Sequence, residues 1–468
     1  MATPRIHVEP KKVGRRAGRR RIRPSLARLS LGAGRRVPLR TALARLASRL
    51  PWRQPRPTVE EQNLWNFYVD TAWFGVLNGI ATTFVSVFAI RLGASNREIG
   101  WLAALPALIN VFWLIPSARL IERQRRRLPI ILLTGCLQRL GYLLIALMPL
   151  LIHTHRVEAV IILNALITLP TAIINVAIIS LMADLTSIEK RARMVSTRNV
   201  LLSFVSMIVV LVGGRFLDLV PFPLNYQLLF GLGTGVSILS LYYLKRIRVP
   251  DAVIARYQAR PKELLTLRLR HFVRTVTGQR DFVRFAGAIF VFHWGLYLPT
   301  ALYSIYRVRD LHASDAWVGL LATVSSAATI LSYFWWSKMT EKRGNRLVLI
   351  VSSLGLVLFP TLTGLSPRLE PLLIVSVIGG VFSASYNLSS FNFMLEICPP
   401  ERRPSYVAIY TSLVNLTAFL APLLGTFLAD LSSVRMALLI AGGVRLIGAG
   451  FLYGLLPSGK TAPAEPHS

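Results

Sequence analysis

The stretch LGASNREIG at residues 92–100 recurs 219 residues later as LHASDAWVG at 311–319, and each copy joins two long apolar runs. The same offset carries Glu122 onto Glu341, each at the end of an apolar run and each followed by basic residues. At an offset of 212, LMADLTSIEKR (181–191) falls on FMLEICPPERR (393–403). Met182 then meets Met394, Glu189 meets Glu401 and Asp218 meets Asp430. Matching connectors in matching order imply a duplicated unit.

What the unit contains follows from hydropathy. Working outward from the repeated connectors, apolar segments able to cross about 30 Å of hydrocarbon occupy 65–90, 98–118, 128–152, 157–181, 197–219 and 226–246 in the first copy. In the second they occupy 282–306, 316–338, 346–366, 371–393, 405–429 and 434–456. The expected fold is an all-α polytopic membrane protein with twelve transmembrane helices in two six-helix halves. Composition agrees: 53% of the 468 residues are hydrophobic and 16% charged, with a mean hydropathy of +0.52, whereas a soluble domain carries about 25% charged residues. Two cysteines, Cys136 and Cys398, exclude a disulfide framework or a cysteine metal cluster.

A net charge of +33 would suggest nucleic acid in a soluble chain, but its distribution speaks for topology, and no nucleic-acid partner is expected. Residues 1–62 read as a disordered basic cytoplasmic tail, with Leu43, Leu46 and Leu50 spaced between arginines as in a helix lying on anionic lipid. Residues 63–246 form the N-terminal half, 247–281 a basic cytoplasmic linker (Arg256, Arg260, Lys262, Arg268, Arg270, Arg274), 282–457 the C-terminal half and 458–468 a C-terminal tail. The connectors on the tail's side hold 27 basic residues and those opposite hold eight, which places both termini in the cytoplasm of an integral plasma-membrane protein by the positive-inside rule.

The connector after the second segment, ARLIERQRRR at 118–127, and that after the eighth, SKMTEKRGNR at 337–346, resemble the repeated signature loop of the major facilitator superfamily. The leading glycine is replaced by Ala118 or Ser337, the aspartate by Glu122 or Glu341, and the second glycine is kept only as Gly344. With the twelve segments and the repeat, the resemblance covers about residues 64–457. It implies a transporter with a central cavity, and gating loops carried here by Glu122, Arg123, Arg126, Arg193, Glu341, Gly344, Arg346 and Arg403. The plainer reading is that these charges only set topology. Two subclass signatures are missing: the fourth-helix arginine and fifth-helix Gly-Pro of proton-coupled drug exporters, and the sugar-porter motif after the sixth helix.

Ionisable groups in hydrocarbon are costly, so the few present are informative. Asp70 and His293 are the candidates for proton or ion coupling, His293 because imidazole titrates near neutral pH. The alternatives are an arginine partner for Asp70 and a hydrogen-bonded packing role for His293. Arg139 and Arg445 lie mid-segment; structural pairing or snorkelling is expected of Arg445, and an inward-facing, anion-attracting role is open to Arg139. At the offset of 212, Asn175 falls on Asn387. In the resembled fold their helices face each other across the cavity, so Asn78, Asn175, Trp294, Tyr297, Tyr386, Asn387 and Asn392 form the candidate wall for a small-molecule substrate. Interhelical hydrogen bonding is the rival role for these amides.

No nucleotide-binding loop, nucleophile or metal motif occurs, so neither a cofactor nor catalysis is expected. The reading is a secondary active transporter in the lipid bilayer, with export of amphipathic compounds fitting the aromatic, charge-poor segments. A non-transporting membrane sensor, assembly factor or scaffold is the alternative, motivated by the degenerate loops.

Overall fold

The computed structural model describes residues 58–122, 124, 127–186, 188–249, 279–398 and 403–456. Both the basic tail and most of the basic linker lie outside them. The described chain runs through α1 (Val59–Arg91), α2 (Asn96–Glu122), α3 (Leu128–Leu151), α4 (Arg156–Leu185), α5 (Ile188–Leu219) and α6 (Leu224–Lys245). It continues as α7 (Arg280–Tyr297), α8 (Thr300–Ile305, extended by a π-helical turn Tyr306–Asp310), α9 (Asp315–Leu365), α10 (Pro371–Ile397), α11 (Arg403–Leu431) and α12 (Val434–Leu455).

The helix starts have identifiable caps. Thr58, Ser314 and Ser433 each accept a backbone N–H three residues on, from Glu61, Trp317 and Met436, satisfying donors that a helix start leaves open. Beyond the caps the helices keep their backbone hydrogen bonds internal, as hydrocarbon requires. Large apolar side chains such as Phe112, Leu133, Ile179, Leu331, Phe334 and Ile374 are exposed. Among the described residues, ten helical stretches are long and apolar enough to cross a membrane, α7 and α8 forming one of them; this is a multi-pass membrane protein. Helix α2, with Pro106 and Pro116 inside it, is not among the ten. Helix α9 has 51 residues, about 76 Å at 1.5 Å per residue, and breaks at Gly344, where φ is 79° and ψ is 159°.

Packing is uneven along the bundle. At the end away from the chain's first helical residue, one apolar cluster draws on both repeats: Phe84, Phe88, Ile99 and Phe230 with Leu298, Leu302, Ile305, Val318 and Ala421. At the other end the core divides. Phe67, Ile131, Met182, Met194 and Leu244 form a cluster within α1–α6, and Phe282, Phe285, Leu349, Phe393 and Leu452 form another within α7–α12. The halves thus share a core at the distal end and keep separate cores at the proximal one. The main crossings between them are α2 on α11 and α5 on α9.

Candidate functional site

At the distal end the halves are held by two polar clasps in repeat-related positions. Asp218, near the C-terminal end of α5, accepts the backbone N–H groups of Asp315 (2.9 Å) and Ala316 (3.2 Å), the first two residues of α9. Ser314 takes the third, so the start of α9 is capped largely from the opposite half. Arg91, at the end of α1, donates to the Ala313 carbonyl (2.8 Å) and pairs with Asp315 (3.3 Å). In the related clasp, the Asn96 amide at the start of α2 donates to Asp430 of α11 (2.8 Å), while its oxygen accepts from Arg309 (2.6 Å). The α5–α9 crossing is close enough that a Cβ on Gly319 would stand 2.6 Å from the Val210 carbonyl.

Within the second half, the last turns of α7 build an aromatic centre. His293 is buried, and its Nδ1–H donates to the Ile289 carbonyl one turn back (2.8 Å); a carbonyl only accepts, so that nitrogen carries the proton. Tyr297 stacks on the imidazole with ring centroids 5.6 Å apart, and Tyr386 and Tyr410 meet its edge at 6.0 and 6.2 Å. The Tyr386 hydroxyl is buried without a hydrogen-bond partner among the described residues. Trp294 is half-buried against the edge of Phe290. The structure thus gathers His293, Tyr297 and Tyr386 into one centre and adds Tyr410.

Within the first half, Asp70 is buried on α1 and accepts from the Ser240 hydroxyl (2.5 Å), whose oxygen accepts from Arg139 (2.7 Å). Arg139 also donates to the Gly135 and Ser237 carbonyls and lies over the Phe74 ring. Its guanidinium is held by backbone and by Ser240, which ties α3 to α6. Asn78 donates to Ser206 (3.3 Å) at the α1–α5 crossing. Asn175 and Asn387 are both exposed, Asn392 is half-buried, and the Asn387 amide reaches the Tyr333 hydroxyl on α9.

The family model described as Major Facilitator Superfamily matches residues 71–284 and again 285–468. The chain belongs to the major facilitator superfamily. It is 24% identical over 142 residues to the multidrug resistance protein MdtG of Proteus mirabilis, a match covering 30% of this chain and 35% of that protein. It is 28% identical over 124 residues to the MFS antiporter QDR3 of Candida albicans, covering 26% and 17%. The matched stretch is therefore about a third or less of these relatives' length. Among solved structures, the nucleoside transporter NupG superposes with a TM-score of 0.66 at 13% identity, covering 85% of this chain and 99% of that one. The xylose transporter XylE from E. coli in an inward open conformation gives 0.65 at 14%, covering 85% and 98%. These likenesses show the fold.

Of the superfamily's signature loops, the second copy is the better described. Glu341 and Gly344 are exposed, Arg346 is half-buried and Arg193, on α5, is exposed. Arg123 and Arg126 lie outside the described residues, as do the side chains of Glu122 and Arg403. Just beyond the first copy, Arg127 pairs with Asp184 of α4 at 2.7 Å, with little of either side chain exposed. Sequence reasoning passed over Ser240, Tyr410, Asn96 and the Arg127–Asp184 pair. For Asp218 and Asp430 a signal exists: an acid near a helix C-terminus opposes the helix dipole, and both repeats place one there.

Proposed function

We propose that this chain is a secondary active transporter that moves a small solute by alternating access, exporting amphipathic compounds. The observation that carries the reading is the shared distal core with its two clasps, set against divided cores at the proximal end. That is the form of a bundle whose halves rock about a central site and are closed on one side. Twelve crossings fit it: α2 spans despite its prolines, α7 and α8 form one crossing, and Gly344 divides α9 into two. Halves at 63–246 and 282–457, joined by the linker 247–281, follow from the repeat. With both termini in the cytoplasm and the protein in the plasma membrane, the clasps face outward and the conformation is inward-open.

The centre around His293, Trp294, Tyr297 and Tyr386, with Asn78, Asn175, Asn387 and Asn392, binds the solute. Asp70 and His293 couple transport to protons, Asp70 because neutralising it alters the acceptor that holds Ser240 and, through it, Arg139. Glu122, Arg123, Arg126, Arg193, Glu341, Gly344, Arg346 and Arg403 act at the inner gate, and anionic lipid holds the tail. Similarity to MdtG, a multidrug resistance protein, and the aromatic, uncharged character of the centre support amphipathic cargo. The test uses purified full-length protein in liposomes with an imposed proton gradient and a panel of amphipathic compounds. Gradient-dependent flux of at least one is expected; no flux of any compound overturns the proposal.

A further inference from the structure

Arg445 is a guanidinium buried within α12, 2% exposed; the Tyr303 hydroxyl lies beside it, and three backbone carbonyls accept from it. Nε donates to Gly295 (3.0 Å), Nη2 to Leu296 (3.3 Å) and Nη1 to Leu356 (2.7 Å). Two of these carbonyls are orphans created by proline. In a helix the N–H of residue i bonds the carbonyl of residue i−4, and proline has no N–H. Pro299 therefore frees Gly295 at the end of α7, and Pro360 frees Leu356 inside α9.

The end of α7 can be accounted for completely. Of its last four carbonyls, Trp294 accepts from the Leu298 N–H, Gly295 and Leu296 accept from Arg445, and Tyr297 accepts from the Thr300 hydroxyl. Closeness is enforced by Gly295, where a Cβ would stand 2.5 Å from the Arg445 Cα, and by Gly448, where one would stand 2.5 Å from the Phe292 Cα. A neutral counterpart exists in the first half. There Pro106 frees the Leu102 carbonyl of α2, and the Asn164 amide of α4 donates to it (3.4 Å). An unpaired carbonyl in hydrocarbon costs several kcal/mol, so a side chain with donors in a fixed planar fork suits a place where three carbonyls converge.

We propose that Arg445 is a positioning residue that fixes the broken turn of α7 by capping the carbonyls freed by Pro299 and Pro360. Thereby it sets the orientation of His293, Trp294 and Tyr297, the residues within two positions of Gly295. It touches no solute; it acts through the backbone that presents the solute-binding rings, and in that respect the inference rests on the transport reading above.

The experiment is a mutant cycle on the full-length protein in detergent. Arg445→Met is compared with wild type, and Arg445→Met/Pro299→Ala/Pro360→Ala with Pro299→Ala/Pro360→Ala, by thermal melting and, with the other eight tryptophans changed to phenylalanine in every variant, by Trp294 fluorescence. Alanine returns the two missing N–H groups. The expected result is a fall in melting temperature for Arg445→Met that is at least halved in the proline-free background, with a changed Trp294 emission in Arg445→Met. Equal losses in both backgrounds overturn the proposal, as does an unchanged Trp294 signal. Arg445→Lys, with a single ammonium unable to span three carbonyls, supplies a milder variant if the methionine form does not fold; its loss too must shrink in the proline-free background. None of these readouts requires transport, so failure of the transport reading leaves the cycle interpretable.

Discussion

Removing the Asp218 carboxylate tests the distal clasp directly. Asp218→Ala leaves the first two N–H groups of α9 without their acceptor from α5. Losing a helix N-terminal cap costs about 1 kcal/mol, and losing the negative charge beside a helix start costs a further ~0.3–1 kcal/mol. Asp218 is exposed, so the electrostatic part belongs at the lower end and the total is about 1.4 kcal/mol. These contacts bridge the halves, so the loss falls on the distally closed state alone and raises the open-to-closed ratio about tenfold. A cysteine at Ala313 reads that ratio, because Ala313 is fully buried beneath Arg91. With the two native cysteines, Cys136 and Cys398, changed to serine, labelling of Ala313→Cys by a membrane-impermeant maleimide is expected to quicken about tenfold in Asp218→Ala. Asp430→Ala removes one exposed side-chain hydrogen bond, and its effect is expected to be smaller. A labelling rate within twofold of the parent, in a protein that melts normally, would refute the assignment of Asp218 as a clasp.

Three further outcomes follow from the same contacts. Ser240→Ala withdraws the hydroxyl between Asp70 and Arg139 and leaves both buried charges short of a partner, a loss of about 1–3 kcal/mol seen as a lower melting temperature. Ser240→Thr, which keeps the hydroxyl, should recover most of it. Gly319→Val places atoms where the Val210 carbonyl stands, so it should part α5 from α9 and quicken Ala313→Cys labelling; unchanged labelling would mean the crossing is not this close. Gly344→Ala has open space around it, so its cost is purely conformational, about 1–3 kcal/mol for a backbone region reserved to glycine, and thermal melting measures it.

Much of the fold was legible because a lipid-spanning helix declares itself in one dimension, through a run of apolar residues of fixed length. The duplicated connectors at 92–100 and 311–319 fixed the order in which the runs correspond. The break in α9 was legible too, since Gly344 stood in a polar interruption between two apolar runs. What one dimension hides is the partner. Nothing local tells that Asp218 caps a helix beginning 97 positions later, or that the Arg139 donors end on Ser237 and Ser240. Tyr410 was hidden for another reason: an aromatic residue in an apolar helix carries the same local signal whether it faces lipid or a histidine.

The buried arginines show where reading charge as attraction goes astray. A guanidinium in hydrocarbon is commonly assigned to an acidic partner or to an anionic ligand. Here Arg445 donates to three carbonyls beside the Tyr303 hydroxyl, and Arg139 divides its donors between two carbonyls and a serine. The reason lies in the membrane's effect on the backbone. Where a proline, a helix end or a helix crossing exposes a carbonyl, no water is present to satisfy it, and the side chain with the most donors is the strongest substitute. At Arg445 the interruptions are Pro299 and Pro360; Arg139 shows the other use, holding unbroken helices α3 and α6 together through Gly135, Ser237 and Ser240.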